Sequence, residues 1–118
     1  MIDHVNIPVS DLSRAKAQYR KVLGELGLEL LVEEAEVAGF GRTHWSFGLL
    51  QAETPIFALH VAFTADSHEA VRAAYRVGLD SGFRCNGEPG QRPEYGPGYY
   101  AAFMTDQDGH NIEAVCRG

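Results

Sequence analysis

Two histidines and one glutamate are the residues of this sequence whose types and positions are best suited to chemistry. His4 and His60 are each followed by valine in strand-like segments, IDHVNIPV and ALHVAF, and Glu113 lies inside the apolar segment NIEAV. A buried ionised carboxylate requires a compensating partner. Two imidazoles and one carboxylate bind a divalent transition metal and leave positions open for water or substrate. We therefore predict a metal site at His4, His60 and Glu113, for Zn, Ni, Fe or Mn.

Each of these residues also has a simpler interpretation. A single histidine in a strand is more often a core or surface residue with a satisfied hydrogen bond than a metal ligand. Glu113 could pair with an arginine or lie on a solvated sheet edge. The positions of His4 and His60 at equivalent points of an internal repeat favour the metal interpretation.

The elements that must position these residues occur twice. A shift of 56 residues aligns the first half of the chain with the second without a gap and pairs several identical residues. Each half has the pattern of a strand, a capped helix and three further strands. We predict one domain over 1–118 in the α+β class, with module one at about 1–52 and module two at about 56–118. The identical pairs are His4/His60, Val5/Val61, Ala17/Ala73, Tyr19/Tyr75, Arg20/Arg76 and Leu23/Leu79.

Local signals set the expected boundaries. The first helix is predicted to begin at Ser10-Asp11 and to end at Gly27. In the second half a strand is predicted over 57–64, and Asp66 with Glu69 is predicted to form a capping box. Breaks are expected around Glu53-Thr54-Pro55 and at the hairpin turn Asp108-Gly109.

Composition excludes several classes of partner. The chain has 118 residues, is 45% hydrophobic and carries a formal net charge of −6 without a cluster of basic residues. Nucleic acid is therefore not an expected partner. No apolar run approaches the roughly 20 residues that a bilayer span needs, so no membrane partner is expected. A cytoplasmic location is the default expectation.

Three longer segments resemble a known family: HVNIPVSDLSRAKAQYRKVLGELG, HVAFTADSHEAVRAAYRVGLDSG and YYAAFMTDQDGHNIEAV. They are similar to the vicinal oxygen chelate superfamily, which holds glyoxalase I, bleomycin and fosfomycin resistance proteins and extradiol dioxygenases. The resemblance implies two βαβββ modules whose curved mixed sheets enclose a metal cleft. It also implies His4 and His60 as ligands on the first strand of each module, Glu113 as the ligand on the last strand, and a homodimer with sites at the interface.

The sequence departs from the glyoxalase I pattern in one important respect. Those enzymes carry a fourth ligand, usually glutamate, on the last strand of module one, and the segment 45–51 contains no acid. Gln51 and Glu53 are the nearest candidates. We expect a metal-dependent enzyme acting on a small molecule with vicinal oxygens, with lyase/isomerase or dioxygenase chemistry and with Glu113 as a catalytic proton-transfer base. The alternative is a metal-free binding protein of the drug-sequestering resistance type.

The segment 87–100, GEPGQRPEYGPGYY, has the composition of an ordered functional loop. Arg92, Tyr95 and Tyr99 are predicted to cover the cleft and hold an anionic or aromatic substrate; alternatively, the aromatic residues only pack the loop down. Trp45 is predicted either to line the cleft as a substrate contact or to fill the core. His44 and His110 lie near turns, and the surface interpretation is favoured for both.

Overall fold

Two four-stranded mixed sheets, each carrying one helix, form the architecture of the computed structural model, which describes residues 1–53 and 57–118. Sheet 1 has the strand order β1-β4-β3-β2, and sheet 2 has the order β5-β8-β7-β6. In each sheet one pair of neighbouring strands is parallel, β1 with β4 in sheet 1 and β5 with β8 in sheet 2. The other neighbouring pairs are antiparallel. The predicted α+β class is confirmed. The elements are β1 (Val5–Val9), α1 (Leu12–Gly24), β2 (Glu29–Glu34), β3 (Val37–Gly41), β4 (Phe47–Gln51), β5 (His60–Thr64), α2 (His68–Asp80), β6 (Arg84–Gln91), β7 (Tyr99–Thr105) and β8 (Asn111–Arg117).

Both helices begin at side-chain caps, although the second does so at a different residue from the one predicted. Asp11 caps α1 by accepting a hydrogen bond from the Arg14 N–H at 3.1 Å. At α2 the cap is Ser67, whose hydroxyl accepts from the Ala70 N–H at 3.0 Å. The capping box predicted for Asp66 and Glu69 is wrong because a cap at Ser67 takes its reciprocal partner from position 70, which is alanine.

The strand boundaries matter for the predicted ligands. Strand β1 begins at Val5, so His4 lies one residue before it, and β5 begins at His60, three residues later than the sequence pattern predicts. Of the break predicted at Glu53-Thr54-Pro55, residues 54 and 55 lie outside the described residues. Strand β6 continues to Gln91, so the first part of the predicted loop 87–100 is strand.

The helix-facing sides of the two sheets form one hydrophobic core. Ile7 and Leu49 from sheet 1 are fully buried in it, together with Met104 and Ile112 from sheet 2. Phe47 and Phe63 bring the sheets together edge to face, with ring centroids 4.9 Å apart. The face of each sheet that does not carry the helix is the face that holds the candidate site residues. Neither helix of the described chain is long and apolar enough to cross a bilayer.

His110 joins the two modules through backbone hydrogen bonds. Its Nδ1 accepts from the N–H of Leu59 at 3.0 Å, so its Nε2 carries the proton and donates to the carbonyl oxygen of Pro8 at 2.6 Å. The side chain is completely buried. The predicted surface position of His110 is therefore wrong. The sequence places it beside a turn, but the packing of β1 against the β7–β8 turn encloses it.

The turn before His110 is equally involved in module packing. Asp106 is buried, and one of its carboxylate oxygens accepts from the N–H groups of Asp108 and His110, each at 2.9 Å. Its other oxygen accepts from the Tyr19 hydroxyl of α1 at 2.6 Å. Gly109 has a φ of +86°, which fits the predicted hairpin turn between β7 and β8. This turn fixes module one against module two.

Candidate functional site

The centre of the site is the carboxylate of Glu113, which receives a hydrogen bond on each oxygen. His60 Nε2 lies 2.8 Å from Oε1, and the Tyr99 hydroxyl donates to Oε2. Glu113 is only 2% exposed, whereas the side chain of His60 is 53% exposed. The hydrogen bond to Glu113 raises the pKa of the Tyr99 phenol above its ordinary value, so the proton stays on the tyrosine. The carboxylate is therefore fixed from both sides beside an accessible imidazole.

Strand pairing explains why these groups meet. Strand β8 lies between β5 and β7, and Glu113 is opposite Ala62 on one side and Phe103 on the other. His60 is two residues from Ala62, on the same face of β5. Along β7, Ala101 separates Tyr99 from Phe103, and its methyl group leaves room for the phenol to extend to the carboxylate. Small residues on neighbouring strands thus leave room for His60 and Tyr99 to reach the buried Glu113.

His4 does not join this pair within one chain. Its Nδ1 donates to the carboxylate of Asp3 at 2.9 Å, and its side chain is half exposed. Together with Asn6 and Trp45 it lines a small cavity of about 170 Å³, whereas His60 lines a different groove of about 600 Å³ along β5. Among residues 1–53 and 57–118 no group of three His, Cys, Asp or Glu side chains is close enough to share an ion.

The equivalent of Glu113 in module one is a glycine. Glu113 pairs with Ala62 across the parallel strands of sheet 2, and the corresponding pair in sheet 1 is Asn6 with Gly48. A Cβ atom at Gly48 would lie 2.2 Å from Asn6 Oδ1 and 2.7 Å from the Trp45 ring. The indole Nε1 donates to Asn6 Oδ1 at 3.0 Å. Trp45 thus covers the place where a second carboxylate would project, rather than filling the core.

The two candidates for a fourth ligand have other positions. Gln51 binds the start of α1: its Oε1 accepts from the Leu12 N–H at 2.9 Å and its Nε2 donates to the Ser10 carbonyl oxygen at 2.8 Å. Glu53 is exposed beyond the end of β4. Neither side chain is placed beside Gly48, so neither supplies the fourth ligand within the described chain.

The side chains of the 92–98 loop pack on aromatic rings of β7. Tyr95 packs edge to face on the Tyr99 ring at 5.4 Å, and the Arg117 guanidinium lies over that ring at 4.9 Å. Arg92 lies over the Phe103 ring, with Cζ 5.5 Å from its centroid. The aromatic packing that was the alternative prediction for this loop is therefore present, and it occurs on the same face as Glu113.

The pair of His60 and Glu113 fits a divalent ion in donor type and in spacing. Donor atoms that share an ion at about 2.1 Å, at roughly a right angle, lie about 3 Å apart, and Nε2 and Oε1 are 2.8 Å apart. An imidazole nitrogen and a carboxylate oxygen suit Zn, Fe, Mn and Ni. Two donors are only part of the coordination shell of a divalent ion. The remaining donors must come from water, substrate or another chain.

Three structural features of this region were not foreseen from the sequence. They are the Tyr99 hydrogen bond to Glu113, the equivalence of Gly48 to Glu113, and the burial of His110. The shift of 56 residues holds for the first strand and the helix of each half, but it does not relate Gly48 to Glu113 because the second module has the longer β6–β7 region. Only strand pairing reveals that equivalence.

Comparison with known proteins gives a consistent result. A family model described as Glyoxalase/Bleomycin resistance protein/Dioxygenase superfamily matches residues 1–114. A solved structure of a glyoxalase/bleomycin resistance protein from Albidiferax ferrireducens T118 is 29% identical, with 98% of each chain covered and a TM-score of 0.87. A search of curated proteins gave no match.

Two more distant solved structures share the fold. A lactoylglutathione lyase from Agrobacterium tumefaciens is 20% identical over 98% of this chain and 92% of that one, with a TM-score of 0.72. TioX from Micromonospora sp. ML1 is 14% identical over 100% of this chain and 99% of that one, with a TM-score of 0.76. At these identities the similarity shows the architecture alone.

Proposed function

Because the chain belongs to the Glyoxalase/Bleomycin resistance protein/Dioxygenase superfamily, we propose that it is a divalent-metal-dependent enzyme acting on a small molecule with vicinal oxygens. The reaction is of the lyase/isomerase type or of the dioxygenase type. The observation that carries this proposal is the contact between His60 Nε2 and Glu113 Oε1 at 2.8 Å, on a sheet face that lacks a helix. His60 and Glu113 would hold the ion, in place of the proton that now lies between their side chains.

The third ligand is His4 of a second copy of the chain. In a twofold dimer, module one of each chain meets module two of the other in two equivalent places. Asp3 accepts the Nδ1 proton of His4, which leaves Nε2 with a free lone pair, the arrangement common in metal-binding histidines. The half-exposed side chains of His4, just before β1, and His60, at the start of β5, lie in separate modules of one chain, and a second copy supplies the missing partner to each.

The chain's own residues have distinct roles in this site. A bound divalent ion polarises substrate oxygens and stabilises negative charge that develops on them. Glu113 takes the proton that a lyase or isomerase reaction moves, and Tyr99 holds its carboxylate in place. Tyr95 and Tyr99 contact the substrate from module two. Trp45 contacts it from the second copy because it shares a cavity with His4.

Gly48 narrows the reaction types. A glyoxalase I site has a carboxylate on each module, but of the two equivalent strand positions here only one carries a carboxylate, Glu113, and the other is the tryptophan-covered Gly48. Two histidines and one carboxylate also form the ligand set of non-haem iron oxygenases. The site therefore suits proton transfer by a single carboxylate group, or cleavage of the ring of a catechol-type diol.

A metal-free binding protein is the alternative function, and one observation favours it. Both oxygens of Glu113 are satisfied by His60 and Tyr99, so its burial does not require an ion. The groove of about 600 Å³ along β5 would then bind a small molecule by shape and stacking alone.

Elemental analysis of the purified protein tests the proposal. We expect about one ion per subunit, with loss of the ion in His60→Ala and in His4→Ala. His68→Ala is the matched control because His68 lies on α2, stacked on Tyr100. Turnover of methylglyoxal hemithioacetals and of catechols then separates the two reaction types. A protein that binds no added Zn²⁺, Ni²⁺ or Fe²⁺ but still binds small molecules would support the alternative function instead.

A further inference from the structure

The guanidinium of Arg92 is held in one position on the open face of sheet 2. Its Nη2 donates to the carbonyl oxygen of Glu88 at 2.6 Å, and its Nη1 donates to the carbonyl oxygen of Gln91 at 3.3 Å. A guanidinium has five N–H donors, so three remain after these two bonds. Fixing a long side chain before binding lowers the entropy cost of recognising a ligand.

Two glycines of β6 make this position possible. A Cβ atom at Gly87 would lie 3.0 Å from the Phe103 ring and 3.4 Å from Arg92 Nη2, and one at Gly90 would lie 3.1 Å from Arg92 Nη1. The φ of Gly87 is +152°, at a bulge in the pairing of β6 with β7. The strand is therefore shaped so that Arg92 can lie close to the sheet.

Phe103 lies between Arg92 and the His60–Glu113 pair. Its ring centroid is 5.5 Å from Arg92 Cζ and 6.2 Å from the His60 ring. Phe103 is also the strand partner of Glu113 on β7. A flat molecule lying along the open face of the sheet beside this ring would have the candidate ion site at one end and the guanidinium at the other.

Arg92 has no acidic partner in the part of the chain that the structure describes, where the ion pairs of lysine and arginine involve Lys16 and Arg72. Arg117, on the same face, lies over Tyr99 and likewise forms no described ion pair. The chain as a whole carries a net charge of −6. Two arginines without acidic partners beside a buried, already hydrogen-bonded carboxylate favour a negatively charged ligand on this face.

We infer that the substrate carries a carboxylate and that Arg92 binds it. This carboxylate lies on one side of Phe103, and the substrate oxygens that chelate the ion lie on the other side. This inference rests on the proposed function, because it takes the chelating end of the substrate to be at His60 and Glu113. It adds the substrate class: a planar or aromatic acid whose vicinal oxygens and carboxylate lie at opposite ends. Guanidinium and carboxylate match in geometry through paired N–H donors.

Binding of three catechols to the zinc-loaded protein tests the inference. Catechol has the vicinal oxygens alone, 3,4-dihydroxybenzoate adds a carboxylate opposite to them, and dopamine adds an ammonium group instead. We expect 3,4-dihydroxybenzoate to bind about tenfold or more tightly than catechol, and dopamine to bind more weakly than catechol. Equal dissociation constants for catechol and 3,4-dihydroxybenzoate would overturn the inference.

Substitutions assign the effect to a residue. Arg92→Met should abolish the advantage of 3,4-dihydroxybenzoate while leaving the dissociation constant of catechol within about twofold, because catechol has no group for the guanidinium. Arg92→Lys should keep part of the advantage. The matched control is Arg76→Met, which removes the same charge from an exposed position on α2. Retention of the full advantage in Arg92→Met, or its loss in Arg117→Met alone, would contradict the assignment to Arg92.

A metal-free arm separates failure of this inference from failure of the proposed function. Benzoate is titrated into the metal-free protein while the Nε–H resonance of Arg92 is followed by NMR. A saturable shift of that resonance, together with loss of benzoate binding in Arg92→Met measured by calorimetry, supports the carboxylate site even if no zinc binds. The inference is overturned, while the metal proposal stands, if that resonance does not shift and if the zinc-loaded protein binds catechol and 3,4-dihydroxybenzoate with equal affinity.

Discussion

Tyr99 and Glu113 are joined by a hydrogen bond in which the phenol donates to a carboxylate oxygen that faces away from His60. The two residues lie on neighbouring antiparallel strands, four residues out of direct register, since Glu113 is paired with Phe103. The tyrosine is itself held by Tyr95 and Arg117. Tyr99 thus positions the single carboxylate of the proposed site.

Tyr99→Phe tests this role. Loss of the phenol leaves one oxygen of a buried carboxylate without its donor, so the free energy of unfolding of the metal-free protein should fall by about 1–3 kcal/mol. The zinc dissociation constant, measured by calorimetry, should rise about 10–100-fold, as for other residues that orient metal ligands. Tyr95→Phe is the control, because the Tyr95 hydroxyl makes no hydrogen bond in the described chain and its ring contact is kept. Unchanged zinc affinity in Tyr99→Phe would remove the positioning role.

Mixing two inactive variants tests whether the site forms between chains. His4→Ala and His60→Ala should each lack metal and activity as homodimers. After mixing and exchange of subunits, a heterodimer contains one site with His4 and His60 both intact and one site with both replaced. Random exchange should restore about a quarter of the wild-type sites. If mixing restores nothing although mass spectrometry shows heterodimers, the site does not form between chains.

Gly48→Ala tests the packing of Trp45 on sheet 1. The added methyl group would meet Asn6 Oδ1 and the indole at distances that require movement, so the free energy of unfolding should fall by about 1–3 kcal/mol. Gly24→Ala at the end of α1 is the matched control, since a Cβ there meets no atom within 4 Å. This control should be neutral or slightly stabilising. Equal stabilities of the two variants in urea unfolding would contradict the packing described for Gly48.

Tyr19 predicts a specific loss of stability at high pH. Burial, and then the charge of Asp106, raise the pKa of Tyr19 far above the ordinary 10.0. The phenol therefore stays protonated in the folded chain while it ionises in the unfolded chain above pH 10. The contribution of the protonated Tyr19 to the free energy of unfolding is therefore complete below pH 10. Above pH 10 this contribution falls by about 1.4 kcal/mol per pH unit.

Urea unfolding of wild type and Tyr19→Phe at pH 8, 10 and 11 measures this effect. At pH 8 the variant should be less stable by about 1.5–3 kcal/mol, because a hydrogen bond to the charged Asp106 is lost. Between pH 10 and 11 the gap should narrow by about 1 kcal/mol. A gap that stays constant across this range would show that Tyr19 ionises equally in both states. Tyr95→Phe should change neither the stability at pH 8 nor the slope.

The elements of the fold follow closely from local sequence patterns. Each half contains the predicted strand, capped helix and three further strands, and β5 begins three residues after its predicted start. Gly27, the predicted end of the first helix, has a positive φ of 85°, and α1 itself ends three residues earlier at Gly24. The start of α2 was misplaced by one residue because Asp66 and Ser67 are both good caps, and side-chain geometry decides between them.

The candidate site was only partly accessible from the sequence. Glu113 and His60 were identified from an acid within an apolar strand and from an internal repeat, and the structure brings them into contact. His4 does not meet His60 and Glu113 within the described single chain. Its convergence with them stays a prediction, now for a site formed with a second copy. The substrate roles of Arg92, Tyr95, Tyr99 and Trp45 also remain proposals. The surface position expected for His110 was wrong.

The sequence by itself determined the order of strands and helices and their buried faces, because periodicity and capping act over a few neighbouring residues. It also supplied the candidate metal ligands, which stay a prediction. The tertiary structure alone decided that Gly48 takes the place of a second carboxylate, that Tyr99 holds Glu113, and that His110 joins β1 to Leu59, the residue before β5. These relationships depend on strand register and on packing between residues up to 102 positions apart, and local patterns do not encode such pairings.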